Sequence, residues 1–197
     1  MGTELPKFLR RREYLDSKGE DKFLVFFKIY RKLPPIGDGP QPNLVIAMDD
    51  TEAIRQKLRD LFESQNLGVL STQRSGQPYA SLIAFYASDD LKNFYFVTPK
   101  TTRKFQNLKT DPRVAILVDS STNQSTDFHR AIAVTMVGEA SEVDVSKHPS
   151  LVKKYLEKHP YLEDFVRSPS IGLVKVSARS YFLVQNFQNV IELHLNS

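Results

Sequence analysis

The chain has 197 residues, 41% of them hydrophobic and 25% charged, with neither Cys nor Trp. That length supports one domain with a buried core plus some additional sequence. The missing cysteines exclude a disulfide scaffold, a thiolate metal site and a cysteine nucleophile. The net charge of +4 resides in residues 1–33, where nine Lys/Arg face five acids, and the remainder is formally neutral. The body therefore has no basic excess to neutralise a phosphate backbone, and no nucleic-acid partner is expected.

Residues 1–33 read as a basic N-terminal appendage. Its apolar run Phe23-Leu24-Val25-Phe26-Phe27, with Ile29 and Tyr30, is flanked by Lys22 and Arg31-Lys32. It is expected to pack on the domain or on a partner chain rather than on a membrane. Pro34, Pro35, Pro40 and Pro42, with Gly37 and Gly39 among them, cannot hold a helix or a central strand, so 34–47 is read as a linker. No apolar run is long enough to span a bilayer and no signal peptide is evident, so a soluble cytoplasmic protein is expected.

The main domain is placed at 48–197. Asp50 or Thr51 can cap a helix in which Ile54, Leu58, Leu61 and Phe62 share one face, ending near Asn66-Leu67-Gly68. A strand over 68–73 and a turn at Arg74-Ser75-Gly76-Gln77 follow. Two more β-rich runs, 78–88 and 93–98, are joined by a hairpin turn at 89–92. A short helix is predicted at 102–109, then strands at 113–119 and 131–143 with a break at Gly138. Lys-His-Pro at 147–149 and 158–160 reads as punctuation of two helices, 149–158 and 160–167, with proline at each first position. Strands at 171–187 and 189–195 complete a mainly β domain, a closed β-barrel or a sandwich, with peripheral helices.

Negative findings narrow the chemistry. His129, His148, His159 and His194 lack metal-ligand spacing. There is no Gly-x-Ser-x-Gly nucleophile elbow, no Walker loop and no dinucleotide glycine fingerprint. One segment does carry chemistry. The strand Phe94-Tyr95-Phe96-Val97-Thr98 stops at Pro99, and Thr101-Thr102-Arg103-Lys104 opens the next helix. Two hydroxyls, a guanidinium and an ammonium at a helix N-terminus suit an anion such as a terminal phosphate. On spacing alone, a plain helix cap with solvent-facing cations accounts for the same residues.

The run Phe96-Val97-Thr98-Pro99-Lys100-Thr101-Thr102-Arg103-Lys104, then Asn107-Leu108 and Asp111-Pro112-Arg113-Val114, resembles the pyridoxamine 5′-phosphate oxidase-like FMN-binding split-barrel family. Thr102 stands where that family has Ser, Arg103 and Lys104 match its Arg-Lys, and Asp111 replaces Asn. The resemblance implies a six-stranded antiparallel split barrel that dimerises, with FMN between the subunits. By position, Arg103 and Lys104 would hold the FMN phosphate, Thr102 would belong to the same cofactor site, and Val97 and Thr98 would line the flavin. Ser81, Leu82, Ile83, Ala84, Phe85 and Tyr86 would run beside the ring and offer main-chain groups. Departures are specific: Ser81 stands near a phosphate-contacting Arg, the flavin-contacting Trp has no counterpart, and Glu192-Leu193-His194 replaces an Arg-Leu-His substrate motif. The resemblance thus implies an FMN-dependent oxidoreductase with a small-molecule redox substrate, not vitamin B6 oxidation. Deazaflavin or haem binding on the same scaffold, and a non-enzymatic dimeric binding or regulatory role, are the alternatives. No catalytic side chain and no metal are assigned.

Overall fold

A computed structural model describes residues 48–185 and 189–195; the expected appendage and linker lie outside the described residues. Helix α1, Met48–Ser64, begins two residues before the expected cap. Its face of Ile54, Leu58, Leu61 and Phe62 is buried, with Leu58 fully inaccessible. Phe62 is the anchor: its ring lies 4.8 Å from Phe94 in an edge-on contact and 5.9 Å from Tyr181, both inside the barrel.

The strands are β1 (Leu67–Arg74), β2 (Gln77–Ala87), β3 (Asn93–Pro99), β4 (Arg113–Asp119), β5 (Ile132–Val143), β6 (Ile171–Gln185) and β7 (Asn189–His194). They lie in the order β3-β2-β1-β4-β5-β6-β7, and an antiparallel β3–β6 pairing closes the first six into a barrel. Strand β7 is an addition on the outer half of β6. Burial alternates along β1, β3 and β4 with the period of two that the pleat imposes. Leu70, Phe94, Phe96, Ile116, Val134 and Met136 thereby fill the interior.

Three local devices shape this barrel. Ser75 and Gly76 both have positive φ (52° and 81°), as a two-residue hairpin turn demands, and Arg74 pairs with Gln77 across it. The β5–β6 register shifts between Val137 and Gly138, where a Cβ on Gly138 would lie 2.2 Å from the Ser177 carbonyl oxygen. The expected break at Gly138 is therefore a bulge. Leu91 is buried despite a φ of 62°, and the Tyr181 hydroxyl donates to its carbonyl.

Helix α2 (Arg103–Thr110) joins β3 to β4, and the one-turn helix α3 (Asp127–Arg130) ends the polar loop before β5. Helix α4, Pro149–Lys158, matches expectation. The segment after it does not: a 3₁₀ turn, Pro160–Leu162, precedes α5, Glu163–Arg167, because Leu162 (φ −99°, ψ 9°) leaves the α-helical region. His159 also proves to be more than punctuation. It is 7% exposed and its Nε2 lies 2.8 Å from the Phe85 carbonyl oxygen. A carbonyl only accepts, so this nitrogen carries the proton. Burial pushes the imidazole's pKa below its ordinary value. No described helix is long and apolar enough to cross a membrane.

Candidate functional site

The barrel parts between β2 and β3. Strand β2 pairs with β1 over Gln77–Ala84 but meets β3 only at Phe85, Tyr86 and Ala87. Below that point the two strands diverge, and side chains take up main-chain groups that a neighbouring strand would otherwise satisfy. Lys104 Nζ donates to the Leu82 carbonyl oxygen at 2.9 Å. The Tyr155 hydroxyl donates to the Ala84 carbonyl at 3.1 Å, and the Val97 amide of β3 hydrogen-bonds the same hydroxyl. Tyr155 is thus a bridge across the gap, and burial raises its pKa.

Helix α2 starts at the mouth of this gap. Thr102 caps it from an extended conformation: its Oγ1 accepts the Phe105 amide at 3.5 Å and donates to the Pro99 carbonyl at 2.8 Å. Thr98 Oγ1 lies 3.1 Å from Thr102 Oγ1. With the Thr102 proton committed to Pro99, the Thr98 hydroxyl is the donor of that contact, and Thr98 is only 2% exposed. Buried Asn107 ties the helix to β1, its Nδ2 donating to Thr72 Oγ1 at 3.0 Å. Gly172 permits the close approach of Phe105, whose ring would lie 2.6 Å from a Cβ there.

The cations diverge from their common origin. Arg103 is exposed, with its guanidinium 5.3 Å from the centre of the Tyr79 ring. Lys104 reaches the Leu82 carbonyl farther along the same strand, β2, and partial burial lowers the pKa of its ammonium. Asp111, which replaces the family's Asn, is held well below the usual carboxylate range by its hydrogen bonds to Arg113. Gln73 Nε2 donates to the same carboxylate.

The expected β2 residues separate by parity. Ile83 and Phe85 are 3% and 0% exposed and face the core; Ile83 pairs with Gly68 of β1, and the Phe85 amide and carbonyl are engaged by Asn66 and His159. Leu82 is 64% exposed on the outer face, and Tyr86 stacks on Tyr95 with centroids 6.0 Å apart. Ala84 and Val97 are half-buried. Ser81 Oγ is buried without a hydrogen-bond partner among the described residues. Across β2, β1 and β4, Leu82, Val69 and Leu117 stand in register as an outward apolar row, with Leu67 nearby in the same sheet.

An open cavity of about 450 Å³ lies at the head of α2, lined by Arg74, Ser75, Gln77, Pro78, Tyr79, Arg103 and Asn107. Arg103 is its one lining residue among those expected from the sequence. Sequence reasoning does not single out Arg74, Tyr79 or Tyr155. Arg74 and Tyr79 flank a turn whose residues announce its shape and nothing more. Tyr155 lies on a helix whose packing partner no local pattern announces. Elsewhere, His194 Nδ1 lies 2.8 Å from Ser180 Oγ, and its Nε2 lies 3.1 Å from Glu192. No group of three potential metal ligands occurs among the described residues.

Residues 54–185 match the family model described as pyridoxamine 5′-phosphate oxidase. No curated protein matches the chain. Solved structures do. A haem-binding protein from Mycobacterium smegmatis superposes with a TM-score of 0.63 at 16% identity, over 71% of this chain. The chain spans 57% of that protein's length. General Stress Protein 26 from Bacillus anthracis gives 0.57 at 21% identity, over 72% of this chain and 98% of the other. A FAD-binding protein from Mesorhizobium loti gives 0.54 at 17% identity, over 65% and 90%. At these identities the likeness is one of fold.

Proposed function

The chain belongs to the pyridoxamine 5′-phosphate oxidase family, and on that premise we propose that it is a dimeric, FMN-binding oxidoreductase acting on a small molecule. The observation that carries this reading is the unpaired edge of β2 at Leu82–Ala84, lying beside Lys104 with Arg103 at the adjoining helix start. A planar, half-apolar ring with polar edge atoms suits such a groove, where main-chain groups fix orientation. The buried and partnerless Ser81 hydroxyl adds a polar group in the same strand that a ligand can satisfy.

Arg103 and Lys104 would hold the phosphate. Lys104 keeps two of its three N–H donors after the contact with Leu82. The bonds from Thr102 to Pro99 and Phe105 fix the first turn of α2, so its free amides stay aimed at the anion. Bound there, FMN supplies two-electron redox chemistry. The outward row of Leu82, Val69 and Leu117 gives a second copy of the chain an apolar surface beside the groove, from which association expels water.

Glu192 lies 3.1 Å from His194, so the strand resembling a substrate motif presents an acid where a phosphorylated substrate needs a base. This supports a substrate other than a vitamin B6 phosphate. Haem ligation, suggested by the likeness to the Mycobacterium protein, would need an imidazole other than His159, whose Nε2 is engaged in the core.

The test is the absorption spectrum of the protein after FMN addition and gel filtration. A retained flavin spectrum near one FMN per chain is expected, with Arg103→Ala/Lys104→Ala folded but colourless. A wild-type protein that retains no FMN, or binds haem instead, overturns the assignment.

A further inference from the structure

Arg74 and Arg103 both line the cavity at the head of α2, and no acidic residue does. Arg59, Arg113, Arg167 and Arg179 each meet an acidic side chain. The side chain of Arg74, exposed at the end of β1, has no ion-pair or hydrogen-bond partner among the described residues. Arg103 contacts only the Tyr79 ring. Two unpaired arginines on one concave surface repel each other unless an anion sits between them.

The hairpin presenting Arg74 is fastened to α2. Thr72 is bonded to Asn107, the Gly76 amide donates to Gln73 Oε1 at 2.8 Å, and Gln73 reaches on to Asp111 just past the helix. The main chain that carries Arg74 is therefore held relative to Arg103 before any ligand arrives, which lowers the cost of ordering the site. Residue 81, meanwhile, is a serine whose buried hydroxyl has no partner, so this strand supplies no cation.

We propose that Arg74 is a phosphate-binding residue of the flavin site, gripping the phosphate from the hairpin side opposite Arg103 and supplying the positive charge that β2 lacks at Ser81. This rests on the FMN reading above. The test is titration of FMN and of riboflavin, which lacks the phosphate, against wild-type protein, Arg74→Ala, Arg103→Ala and Arg179→Ala. Arg179 lines a separate open cavity, paired with Glu139, and controls for the general effect of removing a positive charge.

Loss of one charge-assisted grip corresponds to about tenfold weaker binding or more. Arg74→Ala is expected to lose that factor for FMN and nothing for riboflavin, while Arg179→Ala binds both as wild type does. Because Arg74 is exposed, its thermal unfolding curve should match wild type and show that the loss is local. Arg103→Ala weakened with Arg74→Ala unchanged would overturn the role of Arg74 and leave the FMN reading intact. Wild-type protein binding riboflavin and FMN equally would overturn the phosphate grip as a whole. Binding of neither would overturn the FMN reading together with this inference.

Discussion

Lys158 shows how a single residue can join two elements and make stability depend on pH. Its Nζ donates to the carbonyls of Phe62 at 2.6 Å and Gln65 at 2.8 Å, at the C-terminal end of α1, and lies 4.1 Å from the centre of the Phe85 ring. Burial pushes its pKa down to about 8. The unfolded chain, with an ordinary lysine, then binds more protons than the folded one between that value and the usual lysine range. Stability should therefore rise as pH climbs from about 8 to about 10. Lys104, lowered by the same cause, acts with the same sign. The raised hydroxyls of Tyr155 and Tyr181 act oppositely, but only above the ordinary tyrosine range. Denaturant unfolding at stepped pH should show the rise, and Lys158→Met should flatten most of it. An unchanged slope in that variant would place the proton uptake elsewhere.

At the scale of elements, the bond most exposed to test is the one that stands in for a missing ladder. Tyr155 reaches from α4 into the gap between β2 and β3 and serves the Ala84 carbonyl and the Val97 amide together. Tyr155→Phe keeps the ring and leaves both groups unsatisfied, at a cost of about 1–3 kcal/mol. Faster hydrogen exchange at Val97, with exchange at Leu70 in β1 tracking only the global loss of stability, is the expected signature. Uniform exchange across both sites would show that the hydroxyl holds no local closure.

The contrast between α2 and Tyr155 marks what can be read in the sequence. The end of β3, the Thr102 cap and the Arg103-Lys104 pair are local, because proline, hydroxyl and helix spacing lie within a few residues of one another. The bulge of β6 opposite Gly138 is visible for the same reason, as one glycine in a β-rich run. Tyr155, Lys158 and His159 act on groups more than seventy residues earlier in the chain, and no spacing records that. Which way a strand residue faces is equally hidden in β2. Ile83 and Phe85 face the core while Leu82, beside Ile83, faces outward, and the run of apolar residues does not announce that alternation.

Among the described residues, the barrel that β3 and β6 close is only partly paired between β2 and β3. Strand β6 pairs with β5 from Leu173 to Gln185, while on its other edge its first half serves β3 and its second half β7. On the opposite side β2 makes the complementary change from β1 to β3, so the closed layer opens into a groove without losing its core. On the outer face of the adjoining strands, Leu82 is 64% exposed, Leu67 54% and Leu117 39%. A contiguous apolar surface of this kind favours a partner. If a second copy is that partner, Leu82→Glu should give monomers in sedimentation velocity while circular dichroism stays that of the folded barrel, since the side chain points away from the core. The same variant should lose FMN if the groove needs both copies to exclude water, although the substitution changes none of the side chains that hold the phosphate. Loss of the dimer with FMN retained would make each chain a complete binding unit. A wild-type protein already monomeric at micromolar concentration would remove the second copy from the proposal.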